Sequence, residues 1–368
     1  MWEAYLYQST TGQIGPRVEL ESQSWSIALN DVENISATLK KSDLPKTNLD
    51  LWLSPWWAGL LLTWRGTPIV AGPITNNPTE TIKGISVTCG GIRSILAKRY
   101  VHHEQDDWDK LPKTPVYLYG RSHGTMAKDI VKLVQLKPGG ALPISFPIAD
   151  QLAVNDANHQ KTYRGYNVST NGCHDLLTNL SNLSGGPDIL FKPRLVADNL
   201  LTFDMWHGTE GAPRIKQNDI PVWDTTVEKG DVTDMQIIRT GAYQTGRVYG
   251  VGAGSDEGTK IEVATDLRAV KKGFPLLETV LSDQSENPNV ILSHAQGNLQ
   301  ANVDPLMEIQ VTVRADSAIP LGQFWPGDLV YVVTKGWVSI PDGINKMRLL
   351  AINGDGTGNV KANLQFDS

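Results

Sequence analysis

Cysteine is scarce in this chain of 368 residues, with only Cys89 and Cys173. Two thiols cannot supply the framework that holds small secreted folds together, so both read as buried free thiols. Long apolar runs are also missing. The most apolar stretch, Trp57 to Trp64, is far shorter than the roughly 20 residues a helix needs to span a bilayer. The start, Met1-Trp2-Glu3-Ala4-Tyr5, lacks a basic stretch followed by an apolar one, so no signal peptide is expected. There is no excess of positive charge. The formal net charge is −6, which excludes a nucleic-acid binder held by counterion release.

What is present is tryptophan: eleven, against six phenylalanines, spread from Trp2 to Trp337. Trp combines a large apolar body with one N–H that seeks a partner, which suits β-rich cores and protein interfaces. The length allows two or three domains, and hydrophobic residues at 40% are ordinary for a globular protein.

Residues 1–91 read as antiparallel β. Trp25 to Leu29 and Ile35 to Leu39 alternate apolar and polar residues about a turn at Asn30 to Asn34. Leu60 to Trp64 and Pro68 to Gly72 are joined by Arg65-Gly66-Thr67, a hairpin loop. Ile82 to Cys89 adds another alternating strand. This pattern predicts a small antiparallel β-barrel or sandwich.

From Gly90-Gly91 the period changes. Ile92, Ile95 and Leu96 predict a helix ending near Arg99, and 101–113 an exposed loop. Met126, Ala127, Ile130, Leu133 and Val134 stripe a second helix closed by Pro138-Gly139-Gly140. Cys173, Leu176, Leu177, Leu180 and Leu183 stripe a third, with Asn171 as its N-cap, Asp175 at the dipole's positive end and Ser184-Gly185-Gly186-Pro187 as its stop. Asp188 to Phe191 and Leu200 to Trp206 then form a hairpin. Residues 92–211 therefore read as an α+β domain.

Strands return with Met235 to Thr240 and Gly246 to Val251, flanking a turn at Gly241 to Thr245. Leu276, Leu277, Val280 and Leu281 predict one or two helical turns, and Leu292, Ala295 and Leu299 a helix. After Asp304-Pro305 the β pattern resumes with Ile309 to Val313, Leu329 to Val333, Arg348 to Asn353 and Val360 to Phe366. The fold class is thus mainly β with an α+β insertion, and the family resemblance given below implies that the two β domains are small antiparallel barrels of the tube type. The units are a first β-barrel at 1–91, the α+β domain at 92–211, and a second β-barrel at 212–258 and 305–368. The last is split by a mixed, helical insertion at 259–304.

Chemistry is hard to find. Gly250-Val251-Gly252-Ala253-Gly254 lacks the glycine spacing of a dinucleotide loop, and Ser255-Asp256-Glu257-Gly258 stands where the helix should follow. His102-His103-Glu104 with Asp106, Asp107 and Asp109 has metal-binding residue types, but its spacing matches no zinc or calcium loop. Ser122-His123 is not a nucleophile elbow, which needs G-x-S-x-G. No catalytic residue, metal ligand or cofactor is expected. A facing pair of carboxylates, as in glycosidases, is a three-dimensional feature that spacing does not reveal.

A resemblance carries more. Gly185 to Phe191, Gly322-Gln323-Phe324-Trp325-Pro326-Gly327-Asp328-Leu329-Val330, the Trp25-to-Leu39 pair and Trp64 to Pro73 resemble segments of one family. So do Gly273-Phe274-Pro275-Leu276-Leu277-Glu278 and Arg348 to Ile352, in the same order along the chain. The family is the hub-like minor tail proteins of long-tailed siphophages, notably those infecting actinobacteria, related to the central baseplate hub of contractile-tailed phages. The resemblance implies a virion tail-tip protein that is not an enzyme: a homotrimer whose two β-barrels per subunit make a pseudo-sixfold ring that lets DNA pass. Its implied partners are the distal tail protein, the tape-measure protein and tail-tip fibre or receptor-binding proteins. It leaves the interface residues open and implies assembly in the host cytoplasm without membrane insertion. Two alternatives are a carbohydrate-binding host-recognition module, which needs exposed tryptophans in a row, and a cell-wall hydrolase.

Overall fold

In a computed structural model of the chain, all residues are described except 45–46, 104–113, 154–158, 284, 305 and 368. Residues 1–91 do not form one barrel. They divide between two sheets. A four-stranded sheet takes Ile14–Val18, Trp2–Gln8, Ala58–Trp64 and Thr67–Pro73, in that order. The hairpin in it turns on Arg65 and Gly66, whose φ values of 49° and 81° are the left-handed pair that a two-residue loop requires.

The strands Leu20–Ala28, Asn34–Leu39, Ile85–Gly90 and Thr79–Glu80 belong to a ten-stranded sheet shared with the C-terminal half. The link is Gly343–Gly354, which pairs antiparallel with Leu20–Ala28 through Ala351 opposite Ala28, Ile352 opposite Ile27 and Asn353 opposite Ser26. On its other side lie Asn359–Phe366, Leu306–Arg314 and Val232–Thr240, with Leu329–Thr334 and Val222–Asp224 branching off. The mainly-β class holds. The closed barrels do not: among the described residues none of the sheets closes on itself. The physical reason is that each half leaves a strand edge that the other half pairs, and pairing removes an edge as well as closure does.

One core serves both halves. Trp25, Ile27, Ile35 and Leu60 share a cluster with Ile309, Val311, Phe324, Val330, Leu349 and Ile352. Phe324 comes from a loop, whereas the others stand on the inner faces of their strands, and each large side chain so buried contributes roughly 1.5–3 kcal/mol. Tryptophan fills this core. Trp2 lies 5.6 Å from Trp25 and 5.3 Å from Trp64, centroid to centroid, and its Nε1 donates to the Thr357 carbonyl at 2.8 Å.

A second core lies under the middle of the chain. Helix His123–Gln135 buries Met126, Ala127, Ile130 and Val134, and helix Cys173–Ser181 buries Cys173, Leu176, Leu177 and Leu180, as their stripes predict. Both pack with the hairpin Ile189–Ala197 and Leu200–His207. The first predicted helix is a single turn, Arg93–Leu96. The N-cap reading of Asn171 is corrected: Gly172 holds that position, and Asn171 instead donates to the carbonyls of Arg164 at 2.9 Å and Val101 at 3.3 Å.

A third, small core joins Val248, Ala264, Ala295 and Leu299. Here the predicted helical turns around Leu276 to Leu281 are overturned. Glu278–Ser282 is a strand, parallel to Arg247–Val251, which also pairs with Ile261–Thr265. A short apolar run fits either period, and the neighbouring strand decides. Arg247–Val251 therefore pairs with the inserted stretch and not with Val232–Thr240, whose partner is Leu306–Arg314. Helix Pro288–Asn302 covers this sheet with Ile291, Ala295 and Leu299.

Candidate functional site

The three cores meet at joints, and the joints hold most of the buried charge. The central one is built on Asp188, where the stop after helix Cys173–Ser181 turns into the hairpin. Asp188 is buried. Its Oδ2 accepts the Ile215 N–H at 3.3 Å, and its Oδ1 accepts Arg348 Nη2 from the long strand that links the β halves. One residue further on, the Ile189 N–H donates to Asn30 Oδ1 at 2.7 Å, so the same corner also grips the first β turn. Asn30 has φ 61°, a left-handed conformation that asparagine tolerates better than most residues.

The loop Gly322 to Leu329 closes over this corner. Gly327 has φ 101°, and a Cβ there would lie 3.3 Å from Leu29 Cδ1 and 3.6 Å from Asp188 Oδ2, so glycine is needed for conformation as well as approach. Asp328 accepts the Trp325 N–H at 2.7 Å. Lys192 lies over two tryptophan rings, 5.4 Å from Trp206 and 5.2 Å from Trp325. Burial pushes the Asp328 carboxyl up to about 6, while the Lys192 charge and the Trp325 N–H pull it back. Gln217 fastens the loop's end, accepting the Leu329 N–H and donating to the Leu329 carbonyl, both at 2.8 Å. Thus two of the segments that carry the family resemblance, Gly185 to Phe191 and Gly322 to Val330, lie against each other.

A second joint ties the first β turn to the α+β region. The Gly91 N–H donates to the Glu33 carbonyl at 2.7 Å. Burial pushes the Glu33 carboxyl up to about 7, opposed by its backbone hydrogen bond and the Arg93 charge. Arg93, itself buried, donates from Nε to His174 Nδ1 at 3.0 Å and from Nη2 to Thr178 Oγ1 at 2.8 Å.

A third joint holds the inserted stretch. His294 meets Asp283 through Nδ1, and its Nε2 lies 3.2 Å from the Asn179 carbonyl in the last turn of helix Cys173–Ser181. This is an Asp–His dyad, but a backbone carbonyl occupies the place a nucleophile would take in an acyl-transfer triad.

The sequence-level candidates fall elsewhere. Ser122 is the N-cap of helix His123–Gln135, accepting the Thr125 N–H at 3.2 Å. His123 stacks on His159 with ring centroids 4.3 Å apart, and His159 Nε2 lies 3.6 Å from Glu210 Oε2. They line a cleft of about 570 Å³ between the α+β region and helix Pro288–Asn302. Glu210 is the only carboxylate among its described lining residues, so the facing pair a glycosidase needs is not assembled there. Gly250 and Gly252 press against Ile291, where the helix covers the sheet, so this glycine run serves packing. Of the histidine-acidic stretch, His102 and His103 are described, whereas Glu104, Asp106, Asp107 and Asp109 lie outside the described residues. Among the described residues no group of three or more His, Cys, Asp or Glu side chains is arranged to hold a metal, and no helix is long and apolar enough to cross a membrane.

The tryptophans form no exposed row. Trp25, Trp64, Trp223 and Trp325 are buried, and Trp2, Trp52, Trp57, Trp206 and Trp337 are half-buried. Trp56 is the exposed one among the described residues, at 38%, and Trp108 lies outside them. What sequence reasoning missed is the charge at the joints: Glu33, Arg93, Asp283 and His294 carry no motif, and Asp188, though inside a segment of the resemblance, reads there only as a corner.

No protein-family model matches the chain, and no curated protein matches it. Solved structures do. A tail protein from Neisseria meningitidis MC58 is 13% identical with a TM-score of 0.56, covering 100% of this chain and 97% of that one. The 43 kDa tail protein of prophage MuSo2 from Shewanella oneidensis is 12% identical with a TM-score of 0.57, covering 99% and 98%. Prophage tail protein gp18 from Listeria monocytogenes EGD-e is 11% identical with a TM-score of 0.51, covering 99% and 94%. At these identities the likeness is one of fold, and the fold is that of phage tail proteins over nearly the whole of both chains.

Proposed function

We propose that the chain is a structural protein of a phage tail, the hub at the tail tip, and that it is not an enzyme. The observation that carries this reading is the end-to-end likeness in fold to phage tail proteins. The internal construction supports it, because two β units fused into one ten-stranded sheet form a stiff platform. Three subunits, each bringing two β units, would close a ring of pseudo-sixfold symmetry that matches a sixfold tube. A chain of net charge −6 would let DNA pass without gripping it.

The division proposed is a first β unit at 1–91, an α+β unit at 92–211, and a second β unit at 212–258 and 305–368 around the insertion at 259–304. Arg247–Val251, within the proposed second β unit, pairs with strands Ile261–Thr265 and Glu278–Ser282 of the insertion. The partners proposed are two further copies of the chain, the distal tail protein, the tape-measure protein and tail-tip fibre or receptor-binding proteins. The place proposed is the tail tip of a siphophage virion assembled in the host cytoplasm.

Mass measurement with low-resolution imaging of the purified protein tests the reading. The expected result is a threefold ring with a lumen wide enough for duplex DNA. A stable monomer at every concentration, with affinity for host glycans, would refute it.

A further inference from the structure

The stretch 245–304 is built as a body of its own. Its buried Val248, Ala264, Ala295, Leu299 and Val303 form a core that shares no residue with the other two cores. Among the described residues its three strands pair only with one another. It joins the second β half at its two ends, after strand Val232–Thr240 and before strand Leu306–Arg314. Both ends pass one point. The Thr245 N–H donates to the Asn302 carbonyl at 2.9 Å, and Thr240 stands opposite Leu306 in the sheet. Gly241, Ala242 and Tyr243, between these two fixed pairs, are exposed. Two chain crossings at one place, with unpacked residues between, have the geometry of a hinge.

Elsewhere the body touches the α+β region along a narrow line. Among the described residues a single hydrogen-bond contact crosses it, His294 Nε2 lying 3.2 Å from the Asn179 carbonyl. One turn further along helix Pro288–Asn302, Gly297 sets backbone against backbone, because a Cβ there would lie 2.5 Å from the Asn182 carbonyl oxygen. Beside this line the surfaces part. A cleft of about 570 Å³ opens along Asn289, Ser293 and Gln296, and one of about 510 Å³ along Asn298 and Ala301. Leu183, Ser184 and Gly185 line both. Buried apolar surface is what fixes one domain against another, and no apolar cluster spans this joint.

We propose that 245–304 is a hinged arm: it turns as one body about the exposed 241–243 and the chain after Val303, and the contact of His294 with Asn179 is the latch that holds the docked position. Undocking merges the two clefts and bares Ser184 and Gly185 without breaking the arm's own sheet.

The test uses the full chain with dyes on Ile261→Cys in the arm and Leu136→Cys in the α+β region, positions that are 56% and 80% exposed. The native Cys89 and Cys173 are buried and stay unlabelled. Single-molecule energy transfer then reads the distance between the two bodies. Gly297→Leu, for which the Asn182 carbonyl leaves no room, should move the distance to a new value. In the same variant the amides of the central strand Arg247–Val251 should keep their protection from exchange. His294→Ala should raise the undocked share by about fivefold, the factor that one hydrogen bond is worth. An unchanged distance in Gly297→Leu would show a rigid joint and overturn the proposal. Lost protection in Arg247–Val251 would overturn it too, because the arm would then be unfolding and not turning. An undocked share in His294→Ala equal to that of the wild type would refute the latch.

Discussion

Asp188 and Arg348 stand 160 residues apart in the chain and form an ion pair at the point where the α+β region meets both β halves. Asp188 follows a helix stop and Arg348 sits in the strand that joins the halves, so one contact fastens two of the three cores. Asn30, on the Ile189 N–H, adds the first β turn to the same corner.

Removing one member of this pair leaves the other uncompensated in a buried place. Asp188→Asn should lower the free energy of unfolding by about 3 kcal/mol in urea titrations. Arg348→Met should also destabilise, and the double substitution should cost less than the sum of the two. Strict additivity would show that the pair is not coupled.

Glu33 makes stability depend on pH. Its ordinary value is 4.5 and burial raises it to about 7, so between these limits the native state binds more protons than the unfolded chain. The stabilisation is complete below the lower value and is lost as pH rises through the upper one, by about 3 kcal/mol in all. Asp328, raised from 3.8 to about 6 by burial, acts in the same direction at lower pH. Chemical denaturation from about pH 6 to pH 8 should show the wild type weakening throughout and Glu33→Gln much less, its remaining slope confined to the lower end where Asp328 titrates. Equal slopes in the two proteins would place the titrating group elsewhere.

Gly297 lies within helix Pro288–Asn302, where alanine normally stabilises by about 1 kcal/mol. Here a Cβ would come within 2.5 Å of the Asn182 carbonyl oxygen. Gly297→Ala should therefore loosen the inserted unit. Hydrogen exchange should quicken in helix Pro288–Asn302 and strand Glu278–Ser282 while the ten-stranded sheet is unaffected. Slower exchange in the helix would mean that propensity outweighs the contact.

Cys89 and Cys173 are fully buried, and burial pushes both thiols up to about 12. A disulfide-exchange reagent at about pH 8 should leave both untouched in the native protein and titrate both after unfolding. Fast modification of either in the native state would reveal local opening at that site.

Much of the secondary structure was legible because long amphipathic periods are local. The stripe Cys173, Leu176, Leu177, Leu180 places a helix, and alternation at Trp25 to Leu39 places a strand pair, with no knowledge of what they pack against. The failure at Leu276 to Leu281 has the same origin. A short apolar run satisfies either period, and the neighbour that makes it a strand, Arg247–Val251, lies beyond the local pattern. The joints were illegible for a different reason. Glu33 and Arg93, or Asp283 and His294, are ordinary polar residues until folding buries them together.

By itself the sequence determined the mainly-β class, the two helices of the second core and the withdrawal of most tryptophans, wholly or in part, from solvent. Each follows from side-chain periodicity and from the free energy of burying apolar surface, which act along the chain. Only the tertiary structure decided that the two β halves share one sheet through Gly343–Gly354 and Leu20–Ala28 instead of closing as separate barrels. Strand edges pair through backbone hydrogen bonds that every residue but proline offers alike, so the choice of partner is not written in any local run of side chains.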